Sequence, residues 1–454
     1  MKWGSLVKNM QSDYRFNYTH VGSLAMADHV PAQEKPSLSW HLKTVWISLR
    51  IAQNRLARAA RRPAAMDPRA ISFDADDDGE NPDQNASLRL EHLDLEQVDL
   101  GELPLDIVNF AALEKEAHEE SNPEGAVSFD ESSGGAAHTL GQVTKIAGRL
   151  MALGIYNPLK ILEAVLKGTQ VAAQGRPAAP NEYRNLFSTI EAPWTADHFM
   201  EDSTFAWMRV AGWNPMALRG VSSLDANFPV QNEHLQRGLN DPHDSLELAG
   251  REGRLFLTDY TMLAKVKHGN YPAGPKYSFA PKALFALPRG SGPRRLRPIA
   301  IQCGQDPRAY PIFTPADGDA WQKAKIVVNI ADTTHHETTS HLGHTHLLLD
   351  PFVVSTHRHL PDKHPLSELL RPHFEGTLAI NHAVHQDLIA DGREVDMSFG
   401  GLIQDVRAVA AQSLAQPYFD EGALPNDLQA RNVLSPELEY PYRDDALLLW
   451  GAIE

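Results

Sequence analysis

The chain has 454 residues, 42% of them hydrophobic and 22% charged, with a formal net charge of −16. That composition suits a globular protein with a large core, and its acidic balance excludes a general nucleic-acid binder, which would show a basic face. The single cysteine, Cys303, excludes an internal disulfide, and no apolar run reaches signal-peptide or membrane-span length, so a cytoplasmic location is expected.

From Ser37 to Ala60, Trp40, Leu42, Val45, Trp46, Leu49 and Ile51 fall near one stripe at helical spacing. The basic end of this predicted helix, Arg55 to Arg62, reads as a solvated face. Asp74, Asp76, Asp78 and Gly79 match the first half of a calcium loop. Its twelfth position is Asn85 where a bidentate Glu is needed, which leaves a plain acidic loop. Residues 61–92 and 114–137 are expected to be flexible acidic or linker segments.

Residues 139–172 predict a helical hairpin. Val143, Ile146, Leu150 and Leu153 recur at helical spacing, and Asn157 and Pro158 supply a cap and first turn for the second helix. The pair is cationic through Lys145, Arg149, Lys160 and Lys167. It reads either as a lid in transient contact with a membrane or lipid, or as a helix pair packed on the core. Further on, ALFALPRGSGPRRLRPIAIQ predicts a β-hairpin turning at Gly290 to Gly292, and from Trp321 onward the pattern is chiefly helical.

The stretch HHETTSHLGHTH, His335 to His346, holds five histidines, and eleven of the chain's 21 lie between His335 and His385. Imidazole is the commonest metal ligand. A zinc H-E-x-x-H helix is excluded, because Ser340 stands four residues after His336; a histidine one residue further on is swung about 100° around the helix. His341 and His344 could share an ion on a regular helix. His341 and His346 lie about 140° apart on such a helix and could share one only across a π-bulge. Spacing alone leaves both pairings open, beside surface or packing roles for all of these rings.

The longer run from His336 to Asn381 closely resembles the lipoxygenase signature. Its H-x4-H, THRHL, HP, LLRPH and IN elements appear in order and at matching intervals. FAWMRVAGWNP (Phe205 to Pro215), RLFLTDY, PIFTPADGDAWQKAK and YPYRDDALLLWGAI resemble further blocks of that family. YRFNYTHVGSLAMADHVP resembles the start of bacterial members that lack the N-terminal β-sandwich. The resemblance is loose over residues 1–180 and tight over 181–454.

It implies a mainly α protein, a large helical catalytic domain with a small β-hairpin or sheet element. It also implies a non-haem iron (Fe) enzyme that converts polyunsaturated fatty acids bearing a cis,cis-1,4-pentadiene, with O2, to hydroperoxides. The positions matching the family's iron ligands on a π-helical turn are His341 and His346, with His344 outside the ligand set. Glu337, Val384 and Leu388 are expected at the substrate. Val384 is bulkier than the small residue the family associates with the face of oxygen attack. His357, His364 and His373 are expected to make buried hydrogen bonds.

The family draws a third histidine, an Asn or further histidine, and a terminal Ile carboxylate from beyond the LLLWGAI block, and no histidine follows His385 here. The chain is therefore expected to be a single incomplete catalytic domain, truncated before its last helices. Two imidazoles alone hold iron poorly, so an alternative stands beside the enzyme: a non-catalytic lipid-binding remnant.

Overall fold

The computed structural model describes residues 13–21, 24–35, 183–184, 186–187, 190–271, 274–415 and 420–454. The helix expected over 37–60, the loop at 74–85, the segments 61–92 and 114–137 and the hairpin 139–172 lie outside the described residues. The chain divides into two compact units. In Pro36–Asp197 the described residues include an ion pair of Arg184 with Asp197. The other unit, Met1–Lys35 with His198–Glu454, holds the sheet and the histidine-rich helices.

This unit begins with an antiparallel pair, β1 (Phe16–Val21) and β2 (Leu24–Ala27), with Phe16 opposite Ala27. Helix α1 (Asp202–Ala211) leads through Asn214 and Pro215 into β3 (Leu218–Val221). Short helices α2 (Asn232–Leu239) and α3 (Leu246–Arg251) precede β4 (Leu255–Asp259), β5 (Lys282–Ala286), β6 (Arg297–Gln302) and β7 (Ile312–Phe313). These strands form one antiparallel sheet in the order β3-β4-β5-β6-β7. The expected hairpin is the β5–β6 pair, embedded in a larger sheet than the sequence predicts.

The sheet is covered on both faces, which explains why its strands lack polar alternation. Phe256, Ala283, Phe285 and Ile301 pack with Phe205 and Val210 of α1, while Leu255, Leu284, Ala286 and Ile299 pack with Leu235 and Leu239 of α2. Pro298 sits where the β5–β6 register shifts, a place where a strand tolerates the missing N–H.

A long helical run comes next. α4 (Asp319–His335) opens after Gly318, whose φ of 56° suits glycine, and its Trp321, Ala324, Val328 and Ala331 join the core cluster against the sheet. Without a break the chain widens into a π-helix, π1 (His336–Leu347), then returns to α5 (Leu348–His359). Then come α6 (Pro365–Leu370), α7 (Thr377–Ala383), a second π-helix π2 (Val384–Leu388), α8 (Glu394–Ser398), α9 (Ile403–Leu414), α10 (Leu424–Ala430) and α11 (Pro441–Ile453). The described part is mainly α, and no helix in it is long and apolar enough to cross a membrane.

Candidate metal centre

The side chains of π1 show how the turn is widened. Thr338 Oγ1 donates to the Thr334 carbonyl at 2.7 Å, and Thr345 Oγ1 donates to the Ser340 carbonyl, five residues back, at 2.9 Å. Hydroxyls that bond back to the helix carbonyls compete with the regular ladder. Gly343 lets α9 close on this turn, since a Cβ there would stand 2.2 Å from Ser413 Oγ.

With i→i+5 bonding, residues five apart come round to one side. His341 and His346 face each other with Nε2 atoms 3.1 Å apart and ring centroids 4.7 Å apart. Leu342 and Leu347, one position on, repeat the same interval and both enter one apolar cluster with Ile389 and Ala410.

Each ring is held from its far nitrogen. His341 Nδ1 lies 2.8 Å from Glu337 Oε2, and His346 Nδ1 lies 2.8 Å from Asn381 Oδ1. A carboxylate can only accept. The Asn381 oxygen is assigned by its amide, which donates from Nδ2 to the His346 carbonyl at 3.1 Å and to Asp350 Oδ1 at 2.7 Å. Both imidazoles therefore donate outward through Nδ1–H, and in the neutral state both Nε2 lone pairs point inward. Two lone pairs 3.1 Å apart call for a cation between them, a proton or a metal ion. This donor set fits the nitrogen half of a nitrogen–carboxylate iron site.

The local charges agree. Hydrogen bonds from His336 and His341 hold the Glu337 carboxyl down to about 2, and the Glu337 bond raises His341 above its ordinary value. Burial pushes His346 and His344 down. His344 turns to α9, its Nε2 donating to the Ser413 carbonyl at 3.2 Å. Among the described residues no group of three or more His, Cys, Asp or Glu side chains converges as a metal site.

Two buried networks fix π1 from behind. On one side Asp350 takes the Ala27 N–H and His382 Nε2 donates to the Ala27 carbonyl at 2.8 Å, so β2 is tied to α5 and α7. On the other, Asp332 accepts from Tyr260 at 2.6 Å and from Asn214 at 2.9 Å and pairs with the fully buried Arg209 at 3.2 Å. Asn214 also accepts from Ser340 Oγ at 3.0 Å. The FAWMRVAGWNP block thus acts as a brace for the histidine turn through Arg209 and Asn214.

The remaining predicted positions divide. Glu337, expected at the substrate, has its two oxygens on His336 and His341. Val384 and Leu388 lie on π2 and pack against the cluster that holds Leu342 and Leu347. His357 is buried 3.1 Å from Glu34 and stacked on Tyr14, but its Nε2 has no hydrogen-bond partner among the described residues, so a charge and stacking contact replaces the expected hydrogen bond. His364 and His373 are corrected. His364 caps α6 by accepting from the Leu366 N–H at 3.2 Å, because Pro365 begins that helix, and His373 is exposed on a short 3-10 turn. Sequence reasoning assigns no role to Arg209, Asn214 or Asn381, although each lies within a motif block. The signal that marks them is a polar residue fixed inside an otherwise apolar block.

The family model described as Lipoxygenase matches residues 182–454. The linoleate 9/13-lipoxygenase of Pseudomonas aeruginosa is 34% identical over 96% of this chain and 60% of its own length. The human polyunsaturated fatty acid lipoxygenase ALOX15B is 36% identical over 60% of this chain and 41% of its own. A crystal structure of a LOX in complex with arachidonate superposes with a TM-score of 0.58 at 30% identity, over 70% of this chain and 46% of that one. The chain spans about three fifths of the bacterial relative and two fifths of the human one.

Proposed function

The chain belongs to the lipoxygenase family, a family of dioxygenase oxidoreductases, and from that premise we propose that it oxygenates polyunsaturated fatty acids. The substrate is a cis,cis-1,4-pentadiene acyl chain and the product its hydroperoxide. The observation that carries this reading is the His341–His346 pair, two Nε2 atoms 3.1 Å apart on a π-turn. A non-haem iron supplies the one-electron chemistry of such an oxidation.

The chain's own residues do the positioning. His341 and His346 are the iron-binding imidazoles. Glu337 and Asn381 hold their rings in one tautomer through Nδ1, the outer-shell role that keeps a ligand aimed and basic. Val384 and Leu388, packed with Leu342 and Leu347, form an apolar wall beside the pair for the hydrocarbon near its reacting carbons. Each buried methylene contributes about 0.8 kcal/mol to holding the acyl chain. Added bulk at Val384 narrows the space above the acyl chain and so influences which carbon and face are open to oxygen.

Oxygen uptake by the iron-loaded chain tests the reading, with linoleate against oleate, which lacks the pentadiene. Uptake with linoleate alone, matched by conjugated-diene absorbance, is expected. Stoichiometric iron with no uptake on linoleate would leave the chain a lipid-binding protein.

A further inference from the structure

The β5–β6 connection carries Arg294, Arg295 and Leu296, with Arg297 opening β6, and the iron chemistry uses none of them. This run forms one wall of a cavity of about 540 Å³, which falls within the size range of small-molecule sites. α1 contributes Trp207 and Val210, and α2 contributes Arg237. None of His341, His346, Glu337, Val384 or Leu388 lines it.

The charges around the cavity are unequally spent. Asp202 is taken by Lys325 at 2.6 Å and by the Trp321 indole at 2.8 Å. Glu439 pairs with Arg295 at 2.9 Å, and Glu437 pairs with Arg294. Arg237 and Arg297 are exposed, and no carboxylate among the described residues pairs with either. Two uncompensated guanidinium groups thus face one apolar-walled cavity in a chain of net charge −16. Trp207 is fixed as part of that wall by the Arg295 guanidinium, 5.1 Å from its ring.

We infer that this cavity binds a phosphate monoester bearing an apolar body, the phosphate on Arg237 and Arg297 and the body against Trp207, Val210 and Leu296. A phosphate monoester carries a charge of about −1.5 to −2 at neutral pH, which matches the two open guanidiniums. Guanidinium presents a planar fork suited to phosphate oxygens. The apolar walls give a ligand with a hydrocarbon part the advantage over inorganic phosphate. Such a phosphate is found on a free alkyl phosphate and on the headgroup of phosphatidic acid.

Calorimetric titration of the full chain with octyl phosphate, octanol and inorganic phosphate tests the assignment, run beside R237Q/R297Q. One-to-one binding of octyl phosphate is expected, weakened roughly tenfold or more in the variant, since each lost charged hydrogen bond is a large fraction of such an affinity. Both arginines are exposed and outside the core, and an unchanged circular dichroism spectrum confirms the variant's fold. Flotation with phosphatidylcholine vesicles, with and without phosphatidic acid, distinguishes the source. Capture by the acidic vesicles that R237Q/R297Q abolishes assigns the membrane headgroup, and octyl phosphate binding without capture assigns a free ligand. No binding of octyl phosphate, equal affinity for inorganic phosphate or octanol, or unchanged affinity in the variant would overturn the inference.

Discussion

Asn381 holds His346 from two sides, its Oδ1 accepting from the ring Nδ1 at 2.8 Å while its Nδ2 donates to the His346 carbonyl at 3.1 Å. The same amide reaches the fully buried Asp350, which in turn takes the backbone of Ala27. A single side chain therefore connects the metal-facing ring, π1, α5 and the N-terminal strand pair.

Asn381→Leu is expected to free the His346 ring and to remove the amide that donates to the buried Asp350 Oδ1. The outer-shell loss predicts metal affinity lowered roughly 10- to 100-fold. Loss of that buried hydrogen bond to a charged group predicts about 1–3 kcal/mol of lost stability. Metal titration and denaturant unfolding read the two effects separately.

Gly343→Ala should force π1 and α9 apart, because its Cβ would meet Ser413 Oγ at 2.2 Å. Overpacking of this kind costs about 1–3 kcal/mol. Ser413→Ala removes the clashing atom, so G343A/S413A should recover most of the loss and show positive coupling in a double-mutant cycle. Equal instability of the single and double variants would contradict the close approach.

Asp332→Ala leaves Arg209 buried without its carboxylate and removes the acceptor for Tyr260 and Asn214. Breaking one partner of such a buried pair predicts about 3–5 kcal/mol of destabilisation by equilibrium unfolding. A loss near zero would mean that Asn329 and Tyr260, the other acceptors of Arg209, hold its charge without the carboxylate.

Burial pushes His335 down to about 4, with its Nδ1 3.2 Å from the donating amide of Asn214. An unfolded histidine takes its proton near pH 6.5. Between pH 6.5 and 4 the unfolded chain therefore binds more protons at this site, and stability falls as pH falls across that window. The contribution is at most about 3 kcal/mol, present in full above pH 6.5 and gone below pH 4. His335→Gln should flatten the pH dependence of unfolding in that interval, and an unchanged slope would contradict the buried, neutral ring.

The histidine turn is legible through its surroundings: spacing alone leaves two pairings open, and the family blocks around it select His341 and His346 over His344. The long α4–π1–α5 run follows from its apolar spacing, carried past Gly343 and Pro351. The five-stranded sheet is only partly visible, since strands buried on both faces, such as KALFA, lack the alternation that marks a half-exposed strand. The braces are harder still. The Arg209–Asp332 pair joins residues 123 positions apart, and the Ala27–Asp350 contact spans 323, distances over which no local pattern speaks. For Glu337 the sequence shows a motif position but not the two histidine partners that its carboxylate takes.

Metal content is the most direct measurement of the central claim, that a widened turn brings His341 and His346 to one ion. Wild type, H341A, H346A and H344A would be purified, supplied with ferrous iron and analysed for bound metal. Iron is expected in wild type and H344A, with its loss in both H341A and H346A. Iron retained in H341A and H346A, or lost in H344A alone, would contradict that claim.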